Sequence, residues 1–83
     1  MIRFDPATKR NLVGPKLKEI RLRCKPPVTQ EDLIARLERK GIKIDRSALV
    51  RIEQGKRMLT DYELVFIAKC LRIPPSQLLT EFD

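Results

Sequence analysis

The chain has 83 residues, with 18 lysines and arginines against 11 aspartates and glutamates for a formal net charge of +7, and no histidine. A chain of this length makes one domain and buries only roughly 60–65% of its unfolded surface, which leaves little room for a deep substrate cavity. The basic balance points to polyanions, nucleic acid ahead of an anionic membrane surface.

The charge is unevenly placed. Residues 1–25 hold eight basic and two acidic residues, residues 36–57 hold eight and three, and residues 58–83 hold two and four. This predicts one basic side and a mildly acidic C-terminal part. Cys24 and Cys70 are too few for a disulfide framework and read as reduced, core-filling thiols of a cytoplasmic protein. The N-terminus shows no secretory pattern, and no run is long and apolar enough for a transmembrane helix.

Residues 1–13 read as an N-terminal arm, ahead of a single domain over 14–83. "GPKLKEIRLRC" opens with Pro15 at a first-turn position, where its missing N–H is no loss. Leu17, Ile20, Arg21 and Cys24 follow at helical spacing, and Pro26-Pro27 ends the helix. "VTQEDL" starts the second helix. Thr29 and Asp32 can cap each other across the first turn, Val28 and Leu33 sit at staple positions, and Gly41 fits the helix end. "GIKI" connects to a third helix capped near Asp45 and stopped by Gly55. "LTDYEL" repeats the earlier device, with Thr60 and Glu63 as the capping box and Leu59 and Leu64 as the staple. Leu64, Ile67, Ala68 and Leu71 give that helix its apolar face. "IPPSQLL" starts a short fifth helix, with Leu78 and Leu79 expected to face inward. There is no strand signal, so the fold class is all-α, a compact five-helix bundle.

The third helix carries the functional reading. At about 100° per residue, Ala48, Leu49 and Ile52 share one arc, while Arg46, Ser47, Val50, Arg51 and Gln54 share the opposite one. The first arc must be buried in a domain this small, so the second is presented outward. That outward set suits a DNA major groove. Arginine donates bidentately to guanine, serine bonds base edges or phosphate, and a valine methyl can meet thymine. Gln54 could read adenine or hold the backbone. Lys56 and Arg57 follow at a turn whose backbone N–H groups are expected to be free, a combination that favours phosphate. Gln30, in the first turn of the second helix, can donate to another phosphate beside the helix N-terminus.

These residues resemble a known family. "TQEDLIARL", then "SALVRIEQGKR", then "ELVFIAKCL" look like the lambda-repressor-like helix-turn-helix family, also called the XRE family, over roughly residues 14–80. The resemblance implies that helices 2 (Thr29 to Lys40) and 3 (Arg46 to Gln54) form the helix-turn-helix. It implies base contacts from Arg46, Ser47 and Arg51, a phosphate contact from Gln30, and an internal salt bridge between Arg21 and Glu53. The chain departs from the pattern in the longer connection "RKGIKID" and in "KPPV" before helix 2. Lys40 and Lys43, in or beside the longer connection, are expected to add phosphate contacts.

The function implied is a DNA-binding transcriptional regulator, a repressor, acting as a homodimer on double-stranded DNA. The operator is expected to be pseudo-palindromic, with half-site centres about 34 Å apart or a multiple. The alternative is an antitoxin-like module that engages a partner protein and binds DNA mainly in that complex; exposure of Leu78, Leu79 or Phe82 would point to such a surface. An enzyme is not expected. There is no histidine, no glycine-rich phosphate loop and no paired carboxylates, and neither Ser47 nor Ser76 has an evident base. No metal or cofactor is expected either.

Overall fold

Local side-chain chemistry sets where each helix begins. The computed structural model describes residues 10–79, which form α1 (Gly14–Arg23), α2 (Gln30–Arg39), α3 (Arg46–Glu53), α4 (Asp61–Cys70) and α5 (Pro75–Leu78). No strand occurs among the described residues, so the class is all-α. Thr29 Oγ1 accepts the Asp32 N–H at 3.0 Å while the Thr29 N–H donates to Asp32 Oδ2 at 3.2 Å. Thr60 and Glu63 close the same reciprocal box at 3.2 and 3.0 Å. Asp45 Oδ1 accepts the Ala48 N–H at 2.7 Å and caps α3. Each such cap contributes on the order of 1 kcal/mol. Val13, the residue before α1, makes no side-chain cap, and the first turn contains Pro15.

Three helices end alike. In α2 the Ile42 N–H reaches back to the Leu37 carbonyl, in α3 Lys56 to Arg51, and in α4 Ile73 to Ala68. The residue before each donor is in the left-handed conformation: Gly41 (φ 83), Gly55 (φ 76) and Arg72 (φ 59). This is the six-to-one helix stop that glycine favours. Gly41 and Gly55 meet the expectation, and Arg72 meets the same backbone demand without being glycine.

The core comes from all five helices. Leu17, Leu33, Leu37, Leu49, Ile52, Ile67 and Leu78 are fully buried, each stabilising the fold by roughly 1.5–3 kcal/mol. α1 packs on α3, α2 on both α3 and α4, and α5 on α4. At the α1–α3 contact a Cβ on Gly14 would land on the Ile52 carbonyl, so only glycine allows this approach.

Two expectations need correction. Leu78 is fully buried, but Leu79 is 50% exposed. Neighbouring helical residues point about 100° apart, and a four-residue helix cannot bury both. The last part of the expected arm is not separate from the body. The backbone N–H groups of Arg10 and Asn11 donate to the Gly55 carbonyl at 2.6 and 3.4 Å, and Val13 is buried. The rest of the arm, and Phe82, lie outside the described residues.

Candidate nucleic-acid interface

α3 is held from behind by charge as well as by apolar packing. Arg21 on α1 donates from Nε to Glu53 Oε2 at 2.8 Å and from Nη2 to Glu53 Oε1 at 3.1 Å, a bidentate pair. Both side chains are buried, at 6% and 3% exposure. The third Arg21 nitrogen donates to the Val28 carbonyl at 2.8 Å, and the Val28 N–H returns a bond to the Arg21 carbonyl at 3.0 Å. Gln30 Nε2 also donates to Glu53 Oε1, at 3.0 Å. One carboxylate at the end of α3 thus ties α1, α2 and the loop between them. No buried side-chain nitrogen or oxygen among the described residues lacks a partner, which a low-dielectric network requires.

With its inner face fixed, α3 presents Arg46, Ser47, Arg51 and Gln54 outward, all exposed. Val50 lies among them but is half-buried and offers less apolar surface than the helical wheel predicts. Arg46 Nη1 rests 3.1 Å from Glu31 Oε1, a pair exposed on both sides and therefore weak. A bidentate hydrogen-bond acceptor can displace it at little cost. Exposed guanidinium groups on a rigid helix can donate in parallel to a base edge, a carboxylate or a phosphate.

The flanking residues divide. Lys56 is exposed just past α3, and Lys43 is exposed before it. Lys43 lines a shallow depression with Ile34, Glu38, Ile44 and Asp45. Lys40 lies elsewhere, in a groove with Arg36, Arg39, Lys69 and Arg72. Gln30 has one amide hydrogen engaged by Glu53 and a second that is not part of that bond. Arg57 is committed within the fold. Its Nη1 and Nη2 each stand 3.2 Å from a Glu63 oxygen, and Nη1 donates to the Met58 carbonyl at 3.0 Å. The N–H groups expected to be free at this turn are not. Those of Lys56 and Arg57 donate to the Arg51 carbonyl at 2.8 and 3.3 Å, and that of Gly55 to Ile52 at 2.9 Å. The helix stop that fixes the turn consumes them.

Burial pushes the Glu63 carboxyl up, but hydrogen bonds from Arg57 and from the Thr60 N–H outweigh it and hold the group below the ordinary glutamate range. The Asp32 carboxyl is lowered by the Thr29 backbone N–H and then by its hydroxyl. Glu63 therefore serves two partners, the cap of α4 and the guanidinium at the exit of α3.

Sequence reasoning missed Asn11. Its Nδ2 donates to the Ile52 carbonyl at 3.1 Å and to the Arg57 carbonyl at 2.7 Å, and its Oδ1 accepts the Gly14 N–H at 2.7 Å. It joins the start of α1 to the end of α3 across more than 40 residues, with no local spacing to betray it. No group of three or more metal-binding side chains forms among the described residues, and no described helix is long and apolar enough to cross a membrane.

Comparison of the chain with protein-family models, with curated proteins and with solved structures gives no match.

Proposed function

We propose that the chain is a sequence-specific DNA-binding transcriptional regulator, a repressor, with α2 and α3 as a helix-turn-helix and α3 in the major groove. The observation that carries the reading is the two-sidedness of α3. One side is locked by Leu49, Ile52 and the Arg21–Glu53 pair, and the other displays Arg46, Ser47, Arg51 and Gln54 to solvent. The resemblance of "TQEDL" and "SALVRIEQGKR" to the lambda-repressor-like family supports the same roles. Arg46, Ser47 and Arg51 read bases, while Lys43, Lys56 and the second amide hydrogen of Gln30 hold phosphates. Arg57 supports the turn from inside. The protein binds as a homodimer, one α3 per half-site.

The test is selection from a random duplex library with purified protein near physiological salt. An enriched motif with dyad symmetry supports the reading. Retention of DNA without any motif reduces α3 to backbone contact, and no retention overturns it.

A second reading is favoured by one observation. Met58, Tyr62 and Leu79 are 68%, 54% and 50% exposed, and Tyr62, Val65 and Phe66 form a strip on the outside of α4. Such a strip suits a protein partner, as in an antitoxin-like module. A stoichiometric partner co-purifying from the native cell, together with DNA binding only in that complex, would favour it.

A further inference from the structure

The C-terminal ends of α2 and α4 border a groove of about 460 Å³ lined by Arg36, Arg39, Lys40, Lys69, Cys70 and Arg72. Five of these six are cations. Among the described residues, none of the five is in an ion pair. Arg36 donates to the Cys70 carbonyl at 3.0 Å, and the Lys69 ammonium lies 5.1 Å from the Phe66 ring centre. Neither contact supplies a countercharge of a full unit; Asp32, one turn before Arg36 on the same side of α2, attracts it by charge without an ion pair, which leaves the cations in clear excess. Burial pushes the Cys70 thiol up, with Lys40 and Arg36 pulling against it, so the field of the groove reaches its wall.

The cluster is not explained by its helix ends. A helix C-terminus carries about half a negative charge, so two ends offer roughly one against five positive charges. Nor does the groove belong to the outward face of α3. On a helical wheel Arg36, Arg39 and Lys40 share one side of α2, while Glu31, Ile34 and Glu38 share the opposite side. That opposite side meets the start of α3, through Glu31 with Arg46 and through the depression shared with Lys43 and Asp45. A duplex lying along α3 is on the far side of α2 from the groove.

Arg72 adds a second, independent sign. α2 and α3 place glycine at the left-handed stop, and α4 places an arginine there, at φ 59, on the groove's edge. Local strain of this kind persists only where the surrounding structure over-determines it, and it clusters at ligand sites.

We propose that this groove binds a small ligand carrying two or more linked phosphate groups. Three of its cations are arginines, whose planar forks match phosphate oxygens in pairs. Its volume lies in the ordinary range for small-ligand sites. A single carboxylate would leave most of the charge unmet. The source is either inorganic polyphosphate or a nucleoside polyphosphate, which share the phosphate chain. The proposal does not rest on the DNA reading, which Arg51→Gln tests separately.

The experiment is a titration of the isotope-labelled full chain with tripolyphosphate at about 150 mM salt, where exposed charges are screened beyond about 8 Å. The expected result is saturable shifts of backbone amides at 36–41 and 68–73. Arg39→Gln with Arg72→Gly, both at exposed sites and the second on a backbone that welcomes glycine, should weaken binding at least about tenfold. Arg51→Gln with Lys56→Gln should leave it unchanged. Shifts centred on α3, shifts that never saturate, no shifts at all, or undiminished binding by the groove variant would each overturn the proposal. Parallel titrations with pyrophosphate and a nucleoside diphosphate identify the source. Tighter binding of the nucleotide assigns the nucleoside form, and equal binding assigns the inorganic chain.

Discussion

Glu53 grips Arg21 with both carboxylate oxygens, at 2.8 and 3.1 Å, in the interior between α1 and α3. Removing either partner leaves the other charged and buried, whereas replacing both with apolar residues leaves neither. Glu53→Leu alone should destabilise the protein by about 3–5 kcal/mol. The double variant Arg21→Met with Glu53→Leu should recover most of that loss, and urea denaturation of the set measures it. Equal losses in the single and the double would show that the pair is not the coupling element.

The α1–α3 contact makes an unusual demand. Alanine normally favours a helix over glycine by up to about 1 kcal/mol. At Gly14 the sign should reverse, because the new Cβ meets the Ile52 carbonyl. Gly14→Ala should destabilise by about 1–3 kcal/mol. A rise in thermal midpoint would show that the helix start can shift without loss.

Acid should weaken the junction of α3 and α4. The Glu63 pKa is depressed in the folded state. Its contribution is therefore fully present above the ordinary glutamate value of about 4.3 and is lost as pH falls through the lower folded value. The urea midpoint should drop below that pH, and Glu63→Gln should flatten part of the slope. A slope identical in the variant would assign the acid sensitivity to other carboxylates.

Arg72→Gly should stabilise the fold by roughly 1 kcal/mol, since it relieves the left-handed arginine and removes one of five crowded cations. The same change should weaken polyphosphate binding. Opposite movements of stability and affinity are the signature of a residue kept for its ligand, and thermal melts with and without tripolyphosphate report both.

On DNA, Arg51 and Lys56 should behave differently. Arg51→Ala should lose about 1–3 kcal/mol on the selected site and relax preference at one position. Lys56→Ala should weaken all sequences alike and lower the salt slope by about 1. Equilibrium binding on selected and scrambled duplexes at several salt concentrations separates the two.

The legible parts of this chain were those written in adjacent residues. Thr29 with Asp32, Thr60 with Glu63, and Gly55 after α3 act within one turn, so spacing alone places them. The Arg21–Glu53 pair spans 32 positions; the place of Arg21 on the apolar stripe of α1 hints at a buried partner, and only the resemblance of "RIEQGKR" with "TQEDL" to a known family names it. Asn11, and the grip of Arg57 on Glu63, had no such aid. Arg57 looked like a surface cation because nothing in its neighbourhood shows that Glu63 reaches back beyond its own cap. Arg72 was hidden for the opposite reason: the stop it forms is usually written with glycine. The groove was invisible because it joins Arg36, Arg39 and Lys40 to residues some thirty positions later.

Asn11 uses its whole amide, accepting from Gly14 and donating to Ile52 and Arg57. The Gly55 carbonyl beside it is closed by Arg10 and Asn11. The folded body therefore reaches upstream of the first helical residue, to Arg10 at least. A fragment cut at Gly14 would leave the Gly55 and Arg57 carbonyls at the exit of α3 without donors and take one donor from that of Ile52, and the loss would be felt at Arg51 and Lys56, far along the chain from the cut.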